Sequence, residues 1–303
     1  MALVFGAMIG SFLNVCISRL PAGESVVHPR SRCPGCGTQI AWYDNIPVLS
    51  WLLLRARCRS CGTRISVLYP LVELATGVLW MLAFAAFGPT FFALRVAVFA
   101  TVMLGIAVTD AREFLIPDGF TLFGLAWVLG TGLLAFVLGG MPAGDGGIGS
   151  WLSQDDGRFA SIGQALLGAC AGAGAVAIVG WLGELALKRE AMGFGDLTLM
   201  AVVGAAVGPV RALLTVFVGA VLAVLALPLL KALSRTAVKP LAANEHMPAS
   251  DPVPVGGTEA DRADTRGHIP FGVFLAPAAL IVLLWGDALI RGYLEWIYTG
   301  TLG

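Results

Sequence analysis

Long apolar runs, broken by short charged or glycine-rich stretches, constrain this chain more than any other feature of its sequence. Inside a bilayer the backbone N–H and C=O groups find no water, so a run of about 20 apolar residues must fold as a helix that satisfies them internally. On that rule there are eight candidate spans, near residues 1–18, 67–87, 91–110, 118–139, 161–187, 196–208, 210–231 and 270–290. The sixth is short and only Gly208-Pro209 separates it from the seventh, which leaves seven spans open as well. Composition agrees: 57% of the 303 residues are hydrophobic and 13% charged, against roughly 25% charged in ordinary globular chains. The expected fold is an all-α polytopic membrane protein. No basic residue precedes the first run and no small-residue cleavage pattern ends it, so it reads as a retained span and not a removable signal.

Net charge is zero, so the total points to no nucleic-acid partner, and the distribution of charge carries the information. Arg19, Arg30, Arg32, Arg55, Arg57, Arg59 and Arg64 follow the first span, which places residues 19–66 in the cytoplasm. With eight spans the same side receives Arg112, Lys188, Arg189 and the segment 232–269 with Arg235, Lys239, Arg262 and Arg266. The loop at 140–160, with Asp145, Asp155 and Asp156 against one Arg158, falls on the other side. The expected layout is a first helix at 1–18, a cytoplasmic module at 19–66, a membrane core at 67–231, a cytoplasmic loop at 232–269, and a last helix with its tail at 270–303. Residues 139–160 and 236–268 lack the apolar residues a core needs and read as flexible loops. No internal repeat is evident.

Within the arginine-rich module, Cys33-Pro34-Gly35-Cys36 and Cys58-Arg59-Ser60-Cys61 form two C-x-x-C pairs 21 residues apart, close to the spacing of four-thiolate zinc sites. Gly37 and Gly62 follow the pairs and permit tight turns around a metal. The other reading is two disulfides, which a reducing cytoplasm disfavours. Four thiolates leave no open position for water, so the expected zinc is structural. Cys16 and Cys170 lie in apolar spans and read as small packing residues.

Two carboxylates stand out. Asp110 closes the third span and Asp196, in Gly193-Phe194-Gly195-Asp196, opens the sixth. An isolated carboxylate at a membrane boundary is costly and reads as functional. Two spans separate the pair, so both return to the same cytoplasmic face. Singly, a helix cap for Asp196 and an interfacial carboxylate for Asp110 are equally good explanations. Together, two close carboxylates do not both ionise cheaply: one keeps its proton while the other takes one from a water that attacks a peptide carbonyl. Gly193 and Gly195 are expected to give the backbone conformations closed to other residues and to let a substrate strand approach. Asp118, after Ile116-Pro117, reads as a cap or first-turn residue of the fourth span. Glu73 lies about one turn inside the second span, and a functional role and a structural pairing stand level for it. No histidine is near the aspartates, since His28, His246 and His268 sit in loops, which argues against Ser-His or metal-hydrolase chemistry.

These residues resemble the type IV prepilin peptidases, or leader peptidase/N-methyltransferases, of type IV pilus and type II secretion systems. The resemblance is carried by Gly10-Ser11-Phe12-Leu13-Asn14 with Arg19-Leu20-Pro21, the two C-x-x-C pairs, Asn45-Ile46-Pro47, Tyr69-Pro70 with Glu73, the run from Asp110 to Asp118, G-F-G-D, and Ile269-Pro270-Phe271-Gly272. It implies a multi-pass inner-membrane aspartic endopeptidase with Asp110 and Asp196 catalytic and facing the cytoplasm, and zinc held by Cys33, Cys36, Cys58 and Cys61. The implied substrates are prepilins or pseudopilins, whose basic leader is removed after a glycine. The new N-terminus would then be methylated from S-adenosylmethionine, for which no nucleotide-binding fingerprint is legible. Thr198 stands where family members often carry Lys, and Val273 where the last motif usually has Pro. Two other readings compete: a presenilin-like protease cutting within the bilayer, which the G-x-G-D motif also allows, and a zinc-stabilised scaffold whose carboxylates carry protons.

Overall fold

A computed structural model describes residues 1–139, 161–188, 192–236 and 270–299. Among these, regular structure is helical, apart from two isolated β-bridges. The helices are α1 (Ala2–Arg19), α2 (Leu49–Leu53), α3 (Leu68–Phe87), α4 (Phe91–Glu113), α5 (Asp118–Gly139), α6 (Ile162–Leu187), α7 (Phe194–Val207), α8 (Pro209–Thr236) and α9 (Gly272–Thr299). A 3-10 turn, Trp42–Asn45, precedes α2. Seven helices are long and apolar enough to cross a membrane, and α7, at 14 residues, is the short one. The expected flexible loops at 139–160 and 236–268 lie outside the described residues, save for a first residue that ends a helix in each case.

Small residues set the helix pairings. A side-chain carbon added at Gly6 would lie 3.0 Å from the Gly77 Cα, and one at Gly10 would lie 2.7 Å from the Glu73 Cα. Asn14 Nδ2 donates to the Tyr69 carbonyl at 3.0 Å. Each step of four residues forward in α1 goes with four back in α3, which is an antiparallel register held by close backbone approach. The same device joins α6 to α7, where Gly168 meets Gly204, Gly172 meets Met200 and Gly180 meets Met192. Between lipid-solvated helices the apolar effect gives no drive to associate, so such close packing supplies it.

The central helix is α4, packed by α1, α3, α5 and α9. Its buried Phe99, Met103 and Ile106 join Leu199, Met200, Val202 and Val203 of α7 in one core. Helices α8 and α9 run antiparallel, with Gly219 against Leu275 and an Arg211–Asp287 ion pair at 3.0 Å. From Gly272 to Asp287 along α9 is about 22 Å, and the 14 residues of α7 rise about 21 Å. The short helix therefore runs the same distance through the bundle before Gly208-Pro209 reverses the chain.

Candidate active site

The third span ends where Phe114 takes a left-handed conformation (φ 54°) and its N–H closes on the Asp110 carbonyl at 3.0 Å. That stop leaves Asp110 one turn inside the end of α4, 5% exposed. Its Oδ2 accepts a hydrogen bond from the Val273 N–H at 3.1 Å, with the Gly272 N–H as second donor. These are amides of the first turn of α9, which have no carbonyl partner in their own helix and carry the positive end of its dipole.

Asp196 stands in the first turn of α7, behind Gly193 as the cap residue, and is half-buried. Asp110 lies within electrostatic reach of it. Three motifs far apart in the chain meet around this pair. Ile116 fills the space beside Gly195, where an added side-chain carbon would lie 2.8 Å from its Cβ. At Gly272 the same addition would lie 2.8 Å from Asp110 Oδ2 and 3.0 Å from Ile116 Cδ1. Sequence reasoning quoted the last of these motifs only for the resemblance and gave it no role, since backbone donors 163 residues from Asp110 leave no side-chain signal to read.

The expectation that Gly193 and Gly195 supply unusual backbone angles does not hold. Gly193 has φ −78° and ψ 153°, extended backbone open to any residue, and Gly195 is helical. Gly195 is required by its close approach to Ile116, while nothing lies within 4 Å of a side chain added at Gly193. Thr198 Oγ1 donates to the Gly195 carbonyl at 2.9 Å, so the hydroxyl is satisfied in its own helix. Asp118 is the first residue of α5 and exposed. Of the histidines only His28 is described, in an exposed loop; His246 and His268 lie outside the described residues. Beside the G-F-G-D turn a groove of about 410 Å³ opens between α6 and α7, lined by Val176, Gly180, Trp181, Gly193, Phe194 and Leu197, with exposed Glu184 also on its wall.

Glu73 is not near the aspartate pair in the contacts it makes. Its Oε2 accepts from the Val48 N–H at 2.8 Å, and Ser11 is its second partner. It ties the cysteine module to the α1–α3 pair.

The four cysteines come together. Their Sγ atoms all lie within 4.8 Å of one another, and Cys33 and Cys61 are 3.7 Å apart with no disulfide. Zinc–sulfur bonds of about 2.3 Å place tetrahedral sulfurs about 3.8 Å apart, so the donor set and its spacing fit zinc. The two halves are built alike. Cys33 N–H bonds the Thr38 carbonyl and Gly37 N–H the Cys33 carbonyl; Cys58 N–H bonds the Thr63 carbonyl and Gly62 N–H the Cys58 carbonyl. Here the glycines do supply left-handed backbone, at φ 69° and 72°. The repeat C-x-x-C-G-T-x-I, at Cys33–Ile40 and Cys58–Ile65, is legible in the sequence and corrects the reading that no repeat is present. Burial pushes the Cys33 thiol up to about 11, whereas hydrogen bonds from Thr63 bring Cys61 down to about 6. Asp44, bonded by the Arg59 guanidinium at 2.6 Å, is held below the usual carboxylate range.

Comparison with known proteins follows the same division of the chain. Residues 4–87 match the Bacterial Peptidase A24 N-terminal domain, and residues 97–228 match the Type IV leader peptidase family. A prepilin leader peptidase/N-methyltransferase of Myxococcus xanthus is 35% identical over 95% of this chain and 90% of its own length. Its namesake in Pseudomonas aeruginosa is 33% identical over 97% of this chain and 92% of its own. One from Klebsiella pneumoniae is 38% identical over 67% and 82%. No solved structure matches. With relatives aligned from end to end and two domains matched in order, the chain belongs to the type IV leader peptidase family.

Proposed function

We propose that this chain is a multi-pass aspartic endopeptidase of the bacterial inner membrane that removes the basic leader of prepilins or pseudopilins at the cytoplasmic face. The same chain then methylates the new N-terminus, with S-adenosylmethionine as co-substrate. The observation that carries the first activity is the meeting of Asp110 and Asp196, from α4 and α7, with Asp110 Oδ2 held by the Val273 and Gly272 amides.

In this reading the two carboxyls hold one proton between them. The ionised one takes a proton from water as that water adds to the scissile carbonyl, and the protonated one stabilises the oxyanion and then supplies the leaving amine. The α9 amides fix the orientation of Asp110, so no reorganisation accompanies the step. Open space at Gly193 leaves room for an extended substrate strand. The basic leader lies along the α6–α7 groove, which opens on the cytoplasmic side of Asp196, and meets Glu184 on its wall. Cys33, Cys36, Cys58 and Cys61 would hold a zinc that fixes the fold of the module and leaves no coordination site for water. Gly195 supports the site through its close approach to Ile116, Gly193 through the open space it leaves, and Glu73 through placement of that module.

Purified protein in lipid, given a prepilin and labelled S-adenosylmethionine, scores cleavage and methyl transfer separately. Asp110→Asn and Asp196→Asn are each expected to abolish cleavage while membrane insertion persists. Either variant processing the prepilin at the normal rate refutes the aspartate assignment, and absence of cleavage by the wild-type chain favours a scaffold or proton carrier.

A further inference from the structure

The segment from Trp42 to Leu53 reaches further along the bundle than a surface loop does. Its Val48 N–H is bonded by Glu73, which lies five residues, or about 7.5 Å, inside the start of α3. Through the pairing of Glu73 with Gly10, the same level is nine residues, or about 13.5 Å, before the end of α1. The loop therefore descends alongside α1 and α3 to a depth below the point where α3 begins. Val48 sits there at φ 60°, a conformation that a β-branched residue keeps only when its surroundings fix it.

At such depth backbone polar groups need partners within the protein. They have them: Ile46 N–H donates to Ser50 Oγ at 3.0 Å, Ser50 Oγ to the Tyr43 carbonyl at 2.9 Å, and Ser50 N–H to the Ile46 carbonyl at 3.1 Å. Ser50, the polar residue of α2, is buried, while Trp42 is 74% exposed, Leu52 58% and Leu53 73%. Ile46 and Leu49 are exposed too. A loop facing water reverses this order. Exposed Arg55, Arg57 and Arg64 follow directly.

We infer that residues 42–53 form a wedge inserted in the leaflet where α3 begins, with Trp42, Leu52 and Leu53 among acyl chains and the arginines at anionic headgroups. Apolar side chains on one side and a basic border are the makeup of interfacial anchors. The occupant of this face is lipid, because the wedge hangs on the outer α1–α3 pair, whose Met8, Phe12, Leu71 and Leu74 are exposed at neighbouring levels, whereas Asp110 and Asp196 lie on α4 and α7. The inference depends on membrane insertion and is independent of the peptidase reading.

The test uses the full zinc-loaded chain in nanodiscs of phosphatidylethanolamine and phosphatidylglycerol, with p-benzoylphenylalanine in place of Leu53 and, as a reference, in place of Phe12. Irradiation is expected to give phospholipid adducts at both positions. Adducts at position 53 only to polypeptide, or none there while position 12 captures lipid, overturn the wedge. A second measurement needs no photoprobe: the emission lost on Trp42→Phe is expected to be blue-shifted and quenched by bromines on the acyl chains. Emission at the wavelength of water-exposed indole, unquenched by brominated lipid, overturns it equally.

Discussion

Replacing Gly204 by alanine tests how the second aspartate is placed. A side-chain carbon there would lie 2.6 Å from the Gly168 carbonyl carbon and against its oxygen, where carbon atoms ordinarily rest about 3.5–4.0 Å apart. Both atoms belong to helix backbone, so relief comes only by parting α6 from α7 by about 1 Å. Overpacking of this kind costs about 1–3 kcal/mol. Asp196 rides on the same helix eight residues away, and a shift of about 1 Å in a reacting group costs on the order of 100-fold in rate. The assay is single-turnover cleavage of a prepilin by protein in lipid, with thermal unfolding followed in parallel. Gly174→Ala is the control, since it lies on α6 with nothing within 4 Å of the added carbon; it should keep full rate. Wild-type turnover by Gly204→Ala refutes the reasoning, as does an equal loss in both variants.

Three further outcomes are expected. Purified protein should carry about one zinc per chain, and Cys58→Ser should lose it and expose the module to limited proteolysis; a zinc-free, protease-resistant wild type contradicts the four-thiolate site. Glu73→Ala strips the Val48 N–H of its acceptor and should destabilise the module by about 1–3 kcal/mol, while Glu73→Gln, which keeps an acceptor, should lose less; hydrogen exchange across residues 42–53 measures both. The pH profile of cleavage should be a bell, falling in acid as the second carboxyl gains a proton and in base as the shared one is lost. A single ionisation on either side removes the need for a coupled pair.

Much of the site was legible because charge is scarce in this chain. Asp110, Asp196 and the four cysteines stand out against apolar sequence, and counting spans is enough to put the aspartates at one end of the bundle. The α1–α3 and α6–α7 registers were written in Gly6 and Gly10 and in Gly168 and Gly172, four residues apart, a spacing that signals close helix crossing. What stayed hidden depends on non-local backbone. The acceptor for the Val48 N–H is 25 residues away across an irregular loop. The donors on Asp110 come from a helix start 163 residues along the chain, where an amide has no side-chain identity to read. The short α7 escapes a rule built on full-length spans because its neighbours bury it, Leu199, Met200 and Val202 to Val207 all being buried.

That buried brevity shapes the access to the aspartates. Following the register of α6 against α7, Asp196 stands level with Val176, eleven residues before α6 ends at Leu187, or about 16 Å down its length. On that side α6 rises past the carboxylates as a wall, while α4 ends one turn beyond Asp110 and α9 begins beside it. Water reaches the pair from the aqueous side, and a polypeptide still coiled as a helix keeps its scissile carbonyl engaged in its own hydrogen-bond ladder. The bond to be cut has to arrive unwound, so stiffness of the few residues around that bond, more than their identity, becomes the filter at the door.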